Sequence, residues 1–231
     1  MKDYTPQDIY TLYQKHVMLP RSYFEKYKKL PMNLEDPNWK WDNHDFARIP
    51  CLLDFREWIT KYSIDKVDKL LYTSDEDPEI PYITAGKKTL FEYDMNTHGN
   101  DLHTLDLPDK DYDLIIFSQT LEHLHDPSRC LANIMDHLKP GGYVFTSVPI
   151  VNIPHMTPIH FGSVTQIGLV TMLDRAGLTV KELGQWGNRS YINFIFEKHW
   201  WPDYRNLIDR HGVIENEPQN ACQTWALARK E

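Results

Sequence analysis

Seven of the eleven histidines in this 231-residue chain fall between positions 98 and 160: His98, His103, His123, His125, His137, His155 and His160. An imidazole gains or loses its proton near neutral pH, so this density points first to proton transfer. His155 and His160 lie in the proline-punctuated stretch Asn152-Ile153-Pro154-His155-Met156-Thr157-Pro158-Ile159-His160, and with His123 they are the acid–base candidates. His123 fits a structural part of its turn as well as a base. His137, just before the end of a helical pattern, reads as a partner of the helix C-terminus. His123-Leu124-His125-Asp126 begins like an H-x-H-x-D-H run of metal ligands, but Pro127 stands where that run needs its Asp. A set of His155, His160 and a carboxylate is the remaining metal candidate, and no metal site is expected. Cys51, Cys130 and Cys222 form no C-x-x-C pair and read as buried thiols.

A carboxylate can also accept from both hydroxyls of a diol. Asp94 directly follows an apolar segment and suits either that role or a turn or cap. Glycine-rich phosphate loops are excluded. The ten glycines begin at Gly86 and no two are separated by one residue, so G-x-G-x-x-G is absent, as is a P-loop.

The elements that must position these groups alternate between apolar strands and helical patterns from residue 66 onward, which is the α/β signature. Strands are expected over 69–73, 89–93, 112–118 and 143–148, with 179–183 and 223–228 as an antiparallel pair at one edge. A helix opens at Asp126-Pro127, a capping residue followed by proline at the first position, and ends at Lys139-Pro140-Gly141-Gly142. Another spans 165–176 with Gly177 at its end. Residues 1–65 are rich in Tyr and Trp, broken by prolines, and read as a helical lid with helices over 7–16 and from Pro50 to Tyr62. The expected architecture is a doubly wound, mostly parallel sheet with an antiparallel edge strand over 66–231, interrupted by an aromatic excursion at 184–222.

A formal net charge of −8 without a Lys/Arg cluster argues against a general nucleic-acid binder, whose affinity comes from neutralising phosphates. No apolar run is long enough to cross a bilayer, and the N-terminus lacks the basic-then-apolar order of a signal peptide. A cytoplasmic protein without membrane partners is expected. The aromatic N-terminal segment could exchange between protomers, which leaves a homo-oligomer open.

Tyr112-Asp113, Leu121-Glu122-His123, Asp126-Pro127, Leu138-Lys139-Pro140-Gly141-Gly142 and Ser147-Val148-Pro149, in this order and spacing, resemble the class I S-adenosylmethionine-dependent methyltransferases of the type 11 kind. The resemblance covers roughly residues 66–185. It implies a Rossmann-like fold, S-adenosylmethionine as cofactor, Asp94 on the ribose, Asp101 and Leu102 beside the adenine, and Ser118 and Gln119 lining the cofactor. It also implies that the loop carrying His155 and His160 hangs over the methyl position. The first turn departs from the family pattern: Thr73-Ser74-Asp75-Glu76 has no glycine, so Thr73 and Ser74 would replace the usual close-approach glycines. The expected activity is methyl transfer to a small molecule or glycan precursor, with Tyr23, Asn188 and Arg189 as acceptor-binding candidates under an aromatic roof. The rival reading is a cofactor-binding, catalytically degenerate partner subunit. A nicotinamide dehydrogenase would need the missing phosphate-binding glycines.

Overall fold

The computed structural model describes residues 2–27, 45–93, 99–155, 159–203, 206–207 and 215–231. Its sheet has six strands in the order β2-β1-β3-β4-β6-β5. These are β1 (Lys66–Tyr72), β2 (Thr84–Leu90), β3 (Tyr112–Ser118), β4 (Leu138–Pro149), β5 (Leu178–Trp186) and β6 (Gln223–Lys230). The first four are parallel, and β6 runs antiparallel to both β4 and the edge strand β5. Helices α1 (Pro6–Leu12), α2 (Arg21–Lys26), α3 (Arg48–Lys61), α4 (Pro127–His137), α5 (Gln166–Arg175) and α6 (Arg189–Lys198) complete the described fold.

Strand alternation divides the core into two layers. Leu114 and Ile116 of β3, Phe145 of β4, and Trp225 and Leu227 of β6 pack with Leu52, Phe55 and Trp58 of α3 and Ile195 of α6. Tyr112, Ile115 and Phe117, Val144 and Val148, and Ala226 and Ala228 face the other way, against Leu131 and Ile134 of α4 and Leu169 and Leu173 of α5. Local signals start these last two helices as the sequence requires. The Asp126 carboxylate accepts from Arg129 N with Pro127 at the first position, and the Thr165 hydroxyl accepts from Gly168 N.

The strand expected over 89–93 lies instead at Thr84–Leu90. This is an edge strand, polar along most of its length, so it carries no apolar run to betray it. The expected helix stop at 139–142 is inside β4: pairing passes from Tyr112↔Leu138 to Leu114↔Tyr143 across an irregularity where Gly141 adopts φ +81°. The excursion after β5 contains α6, whose Asn188 cap and inward Tyr191, Phe194 and Ile195 are ordinary helix signals. The N-terminal α1 is a shorter helix than expected, opened by a Thr5–Asp8 capping box and continued by a π turn over Tyr13–Val17.

The segment expected as a lid supplies a core layer, because α3 buries Ile49, Leu52, Phe55, Trp58 and Ile59 against the sheet. It takes the face that a helix after β1 would cover; residues 73–83 connect β1 to β2 with only a 3-10 turn, Ile80–Tyr82. Asp54 locks α3 in place. Its carboxylate, 1 % exposed, accepts from Trp225 Nε1 at 2.9 Å, from the Tyr23 hydroxyl at 3.0 Å and from the Tyr27 hydroxyl, and pairs with Lys26 at 3.2 Å. Gly184 makes room for this knot, since a Cβ there would lie 2.2 Å from Trp225 Nε1. Replacing Asp54 by Ala strands the buried Trp225 indole N–H and the Tyr27 hydroxyl, while Tyr23 keeps Gln185 and Lys26 keeps Glu57. We expect Asp54→Ala to cost about 3–5 kcal/mol in urea unfolding; a loss under about 1 kcal/mol would contradict the central role of this carboxylate.

Candidate active site

The strand order reverses between β1 and β3, so the carboxyl ends of these two strands mark the switch point where open α/β sheets bind ligands. The Thr73 and Thr120 hydroxyls meet across it at 3.1 Å. Around them is a pocket of about 220 Å³ lined by Thr73, Ser74, Ser118, Gln119, Thr120, Glu92 and Tyr93, among others. Gln119 holds φ +47°, a left-handed conformation that costs a non-glycine residue about 1–3 kcal/mol. Its backbone N–H donates to the Ser147 carbonyl at 2.9 Å and its side-chain amide to the Ser147 hydroxyl at 3.0 Å. Those bonds hold the strained turn against β4.

A second pocket of about 490 Å³ adjoins the first and shares Arg48, Glu76, Gln119 and His123 with it. Its remaining walls are Asp45, Glu122, Asn152, His155, Trp200, Trp201 and Asp203. Trp201 Nε1 donates to Asn152 Oδ1 at 2.7 Å and its ring meets that of His155 edge-on at 5.2 Å. Two of the three histidines singled out in the sequence, His123 and His155, line this pocket, and His160 packs beside His155 without lining it. Ring centroids lie 4.9 Å apart for His123 and His155 and 4.8 Å for His155 and His160. Nδ1 of His123 is 3.0 Å from the Ile159 carbonyl, and Nδ1 of His155 is 3.0 Å from the Ile153 carbonyl. A carbonyl only accepts, so each Nδ1 carries a proton, and in the neutral ring Nε2 then holds the lone pair. Burial pushes the His123 pKa down, which favours the neutral ring.

Beneath the pockets lies a concentration of buried acid. Asp77, Glu79 and Glu122 are all under 5 % exposed, and one guanidinium, Arg48, stands 3.4 Å from Asp77 and 3.6 Å from Glu79. Burial raises the pKa of Glu122 to about 8, and it raises Asp77 and Glu79 as well, Asp77 further by repulsion from Glu79. The sequence reading missed these acids and Arg48. The one signal available was an arginine at the start of a helix, where the helix dipole disfavours a cation unless carboxylates await it.

Other predicted residues are placed elsewhere. Tyr23 is spent on Asp54 and on Gln185, whose N–H it accepts at 2.9 Å, and Asn188 caps α6 while donating to the Glu215 carbonyl at 2.9 Å. Arg189 is exposed at the start of α6. None of the three lines either pocket; of the two aromatic regions expected to form a roof, Trp186 is core, fully buried against Phe46 and Tyr191, whereas Trp200 and Trp201 do line the larger pocket. Leu102 is a core residue, and Asp101 accepts from the backbone N–H of His103 at 2.9 Å, with its Oδ1 2.6 Å from His103 Nδ1. His103 in turn stacks on His125 at 3.8 Å, and His137 Nδ1 donates to the Asn133 carbonyl in the last turn of α4. Asp94 lies outside the described residues.

A family model described as a methyltransferase domain matches residues 59–183, more than half of the chain. The chain belongs to this methyltransferase family, and its fold is that of the S-adenosylmethionine-dependent class. A solved S-adenosylmethionine-dependent methyltransferase from Mesorhizobium loti aligns with a TM-score of 0.50 and 14 % identity, covering 82 % of this chain and all of that one. Phosphoethanolamine N-methyltransferase 2 of Haemonchus contortus, solved in complex with S-adenosyl-L-methionine, gives 0.50 and 9 % identity, covering 77 % of this chain and 52 % of that one. Among curated protein sequences there is no match. No helix among the described residues is long and apolar enough to cross a membrane.

Asp45, on the wall of the larger pocket, offers a check of the electrostatics. Burial raises its pKa from 3.8 to about 6, against opposing hydrogen bonds from the Tyr191 hydroxyl at 2.7 Å and Ala47 N at 3.2 Å. The folded state therefore binds this proton more tightly than the unfolded chain. The resulting stabilisation is complete below about pH 4 and is lost as pH rises through 6. Stability of the wild type relative to Asp45→Asn should fall between pH 4 and pH 7 in denaturant titrations; a flat difference would refute the raised pKa.

Proposed function

We propose that the smaller pocket holds S-adenosylmethionine and the larger one a small, uncharged or cationic acceptor such as a hydroxylated glycan precursor. The observation that carries this reading is the pair of adjoining pockets at the carboxyl ends of β1, β3 and β4, with Gln119 and His123 on their common wall. The donor set fits the cofactor: hydroxyls and an amide from Thr73, Ser74, Ser118, Gln119 and Thr120 suit its polar tail, and Glu92, two residues beyond β2, suits the ribose diol. Asp94 is a second candidate for the ribose on the sequence resemblance.

When bound, S-adenosylmethionine supplies a methyl group already made electrophilic by its sulfonium. The chain's work is then to hold an acceptor atom in line, about 3 Å away, and to exclude water. Trp200 and Trp201 give that acceptor apolar faces, while Asp45, Glu76 and Asp203 give hydroxyls or an ammonium something to donate to. Among the described residues Arg48 is the only Lys or Arg on the walls, and it is engaged with Asp77 and Glu79, so this described lining suits neutral or positive acceptors better than phosphorylated ones. His123 and His155 line the larger pocket, which supports their assignment to the acceptor's side of the site; His160 stands behind His155, lines neither pocket, and has both ring nitrogens on carbonyls. The paired pockets favour an active enzyme over a degenerate partner subunit.

Calorimetric titration with S-adenosylhomocysteine should show one site per chain. Glu92→Gln should weaken it about ten-fold, the value of one charge-assisted hydrogen bond; an unchanged affinity in Glu92→Gln together with a loss in Asp94→Asn would move the ribose assignment to Asp94. Labelled methyl should pass to small hydroxylated compounds, and label confined to RNA or protein would overturn the acceptor class.

A further inference from the structure

Glu122, His123 and His155 each turn one ligand-type atom toward the others, and the three atoms all lie within 4.8 Å of one another. We propose that this trio is a binding site for a divalent first-row transition ion. The sequence reading weighed His155 with His160 instead and expected no metal; the fold pairs His155 with His123 because the carboxyl ends of β3 and β4 are adjacent. Four independent features fit an ion. Both imidazoles have Nδ1 bound to a backbone carbonyl, the outer-sphere bond that fixes a metal-ligating histidine with Nε2 free to bind. Their rings are nearly perpendicular, at 83°, so they approach a common point from different directions. Glu122 is 2 % exposed and its Oε2 has no hydrogen-bond partner, an arrangement that a cation would relieve. The fourth feature is charge: Arg48 is paired with Asp77 and Glu79, so among the described residues Glu122 has no ion-pair partner of its own, a place for a cation.

Bonds of about 2.1 Å to a common ion need neighbouring ligand atoms about 3 Å apart, which small side-chain rotations supply from the present spacing. Two imidazoles and one carboxylate leave open positions, and this donor set suits Mn²⁺, Fe²⁺, Co²⁺ or Zn²⁺. His160 is not a ligand, since its Nδ1 and Nε2 lie 3.2 Å and 3.1 Å from the carbonyls of Ile153 and Gly162. The open positions face the larger pocket, whose wall the imidazoles and Glu122 form. This deepens the proposed methyl transfer and rests on it for the acceptor: a hydroxyl bound to the ion loses its proton to solvent more readily. Its oxygen lone pair then forms the O–C bond as the S–C bonding pair stays on sulfur. The acceptor class implied is an alcohol or vicinal diol.

The test is titration of Zn²⁺ and Mn²⁺ into the full chain after chelator stripping, by calorimetry and by Mn²⁺ electron paramagnetic resonance. One ion per chain is expected, weakened ten-fold or more in His155→Ala and in Glu122→Gln, with circular dichroism melts confirming that both variants fold. His125→Ala, altering a ring that stacks on His103 outside the trio, should change affinity less than two-fold. Absence of a stoichiometric ion, or affinity unchanged in both ligand variants, overturns the site. S-adenosylhomocysteine titration of the same stripped protein separates the two readings. Cofactor binding without an ion overturns only the metal site, whereas an ion without cofactor binding upholds the metal site and overturns the methyl-transfer reading.

Discussion

Arg48 is the first residue of α3 and sets its guanidinium against two buried carboxylates from the turn after β1, Asp77 and Glu79. Ionised carboxylates at this depth cost several kcal/mol each unless a cation is brought to them. The turn therefore cannot hold its course unless α3 lies on the sheet, and α3 cannot start where it does without burying an unpaired guanidinium unless the turn comes inward. Asp54, about 1.7 turns along the same helix, performs the matching task at the far side by gathering Trp225, Tyr23 and Tyr27. The two charged contacts fix one helix at two points, and both pockets take Arg48 as a wall.

That arrangement explains the first turn. Glycines after the first strand of a nucleotide-binding α/β fold serve a tight turn into a helix that packs closely on the sheet. Here the next element is a 3-10 turn followed by β2, and the sheet face is already covered by α3. With no helix to pack, the packing task of those glycines lapses, and hydroxyls and buried acids stand at the switch point instead.

What the sequence made legible follows from the same physics. β3, α4 and α5 could be read because they are buried elements with apolar periodicity and local caps, and the β5–β6 edge pair because its strands are apolar. β2 could not, since an edge strand rich in Lys and Thr resembles a loop. His123, His155 and His160 were legible as a group because strand ends converge in this fold; Tyr23, Asn188 and Arg189 were misplaced because an aromatic excursion does not say whether its rings roof a pocket or fill the core. Gly184 approaches the Asp54–Trp225 bond, not a ligand. The acid run Asp75-Glu76-Asp77-Pro78-Glu79 has the composition of a solvated loop, yet Asp77 and Glu79 are 4 % and 1 % exposed. Burial of charge is set by its partner, and the partner here is 29 to 31 positions upstream.

The excess of acid beneath the pockets has two chemical resolutions, protons or cations, and they differ in what they do to a neighbouring ligand. Protons neutralise the floor and leave the pocket a polar, weakly acidic cleft whose character changes with pH. A bound cation neutralises it while creating an electrophile beside the position a nucleophile must occupy. The imidazoles bear on the choice, because His123 and His155 have Nδ1 tied to carbonyls and each places a ligand-type atom within 4.8 Å of one on the buried Glu122. Proton storage accounts for the acids alone, whereas a cation accounts for the acids and for the clustering of His123 and His155 with Glu122 together.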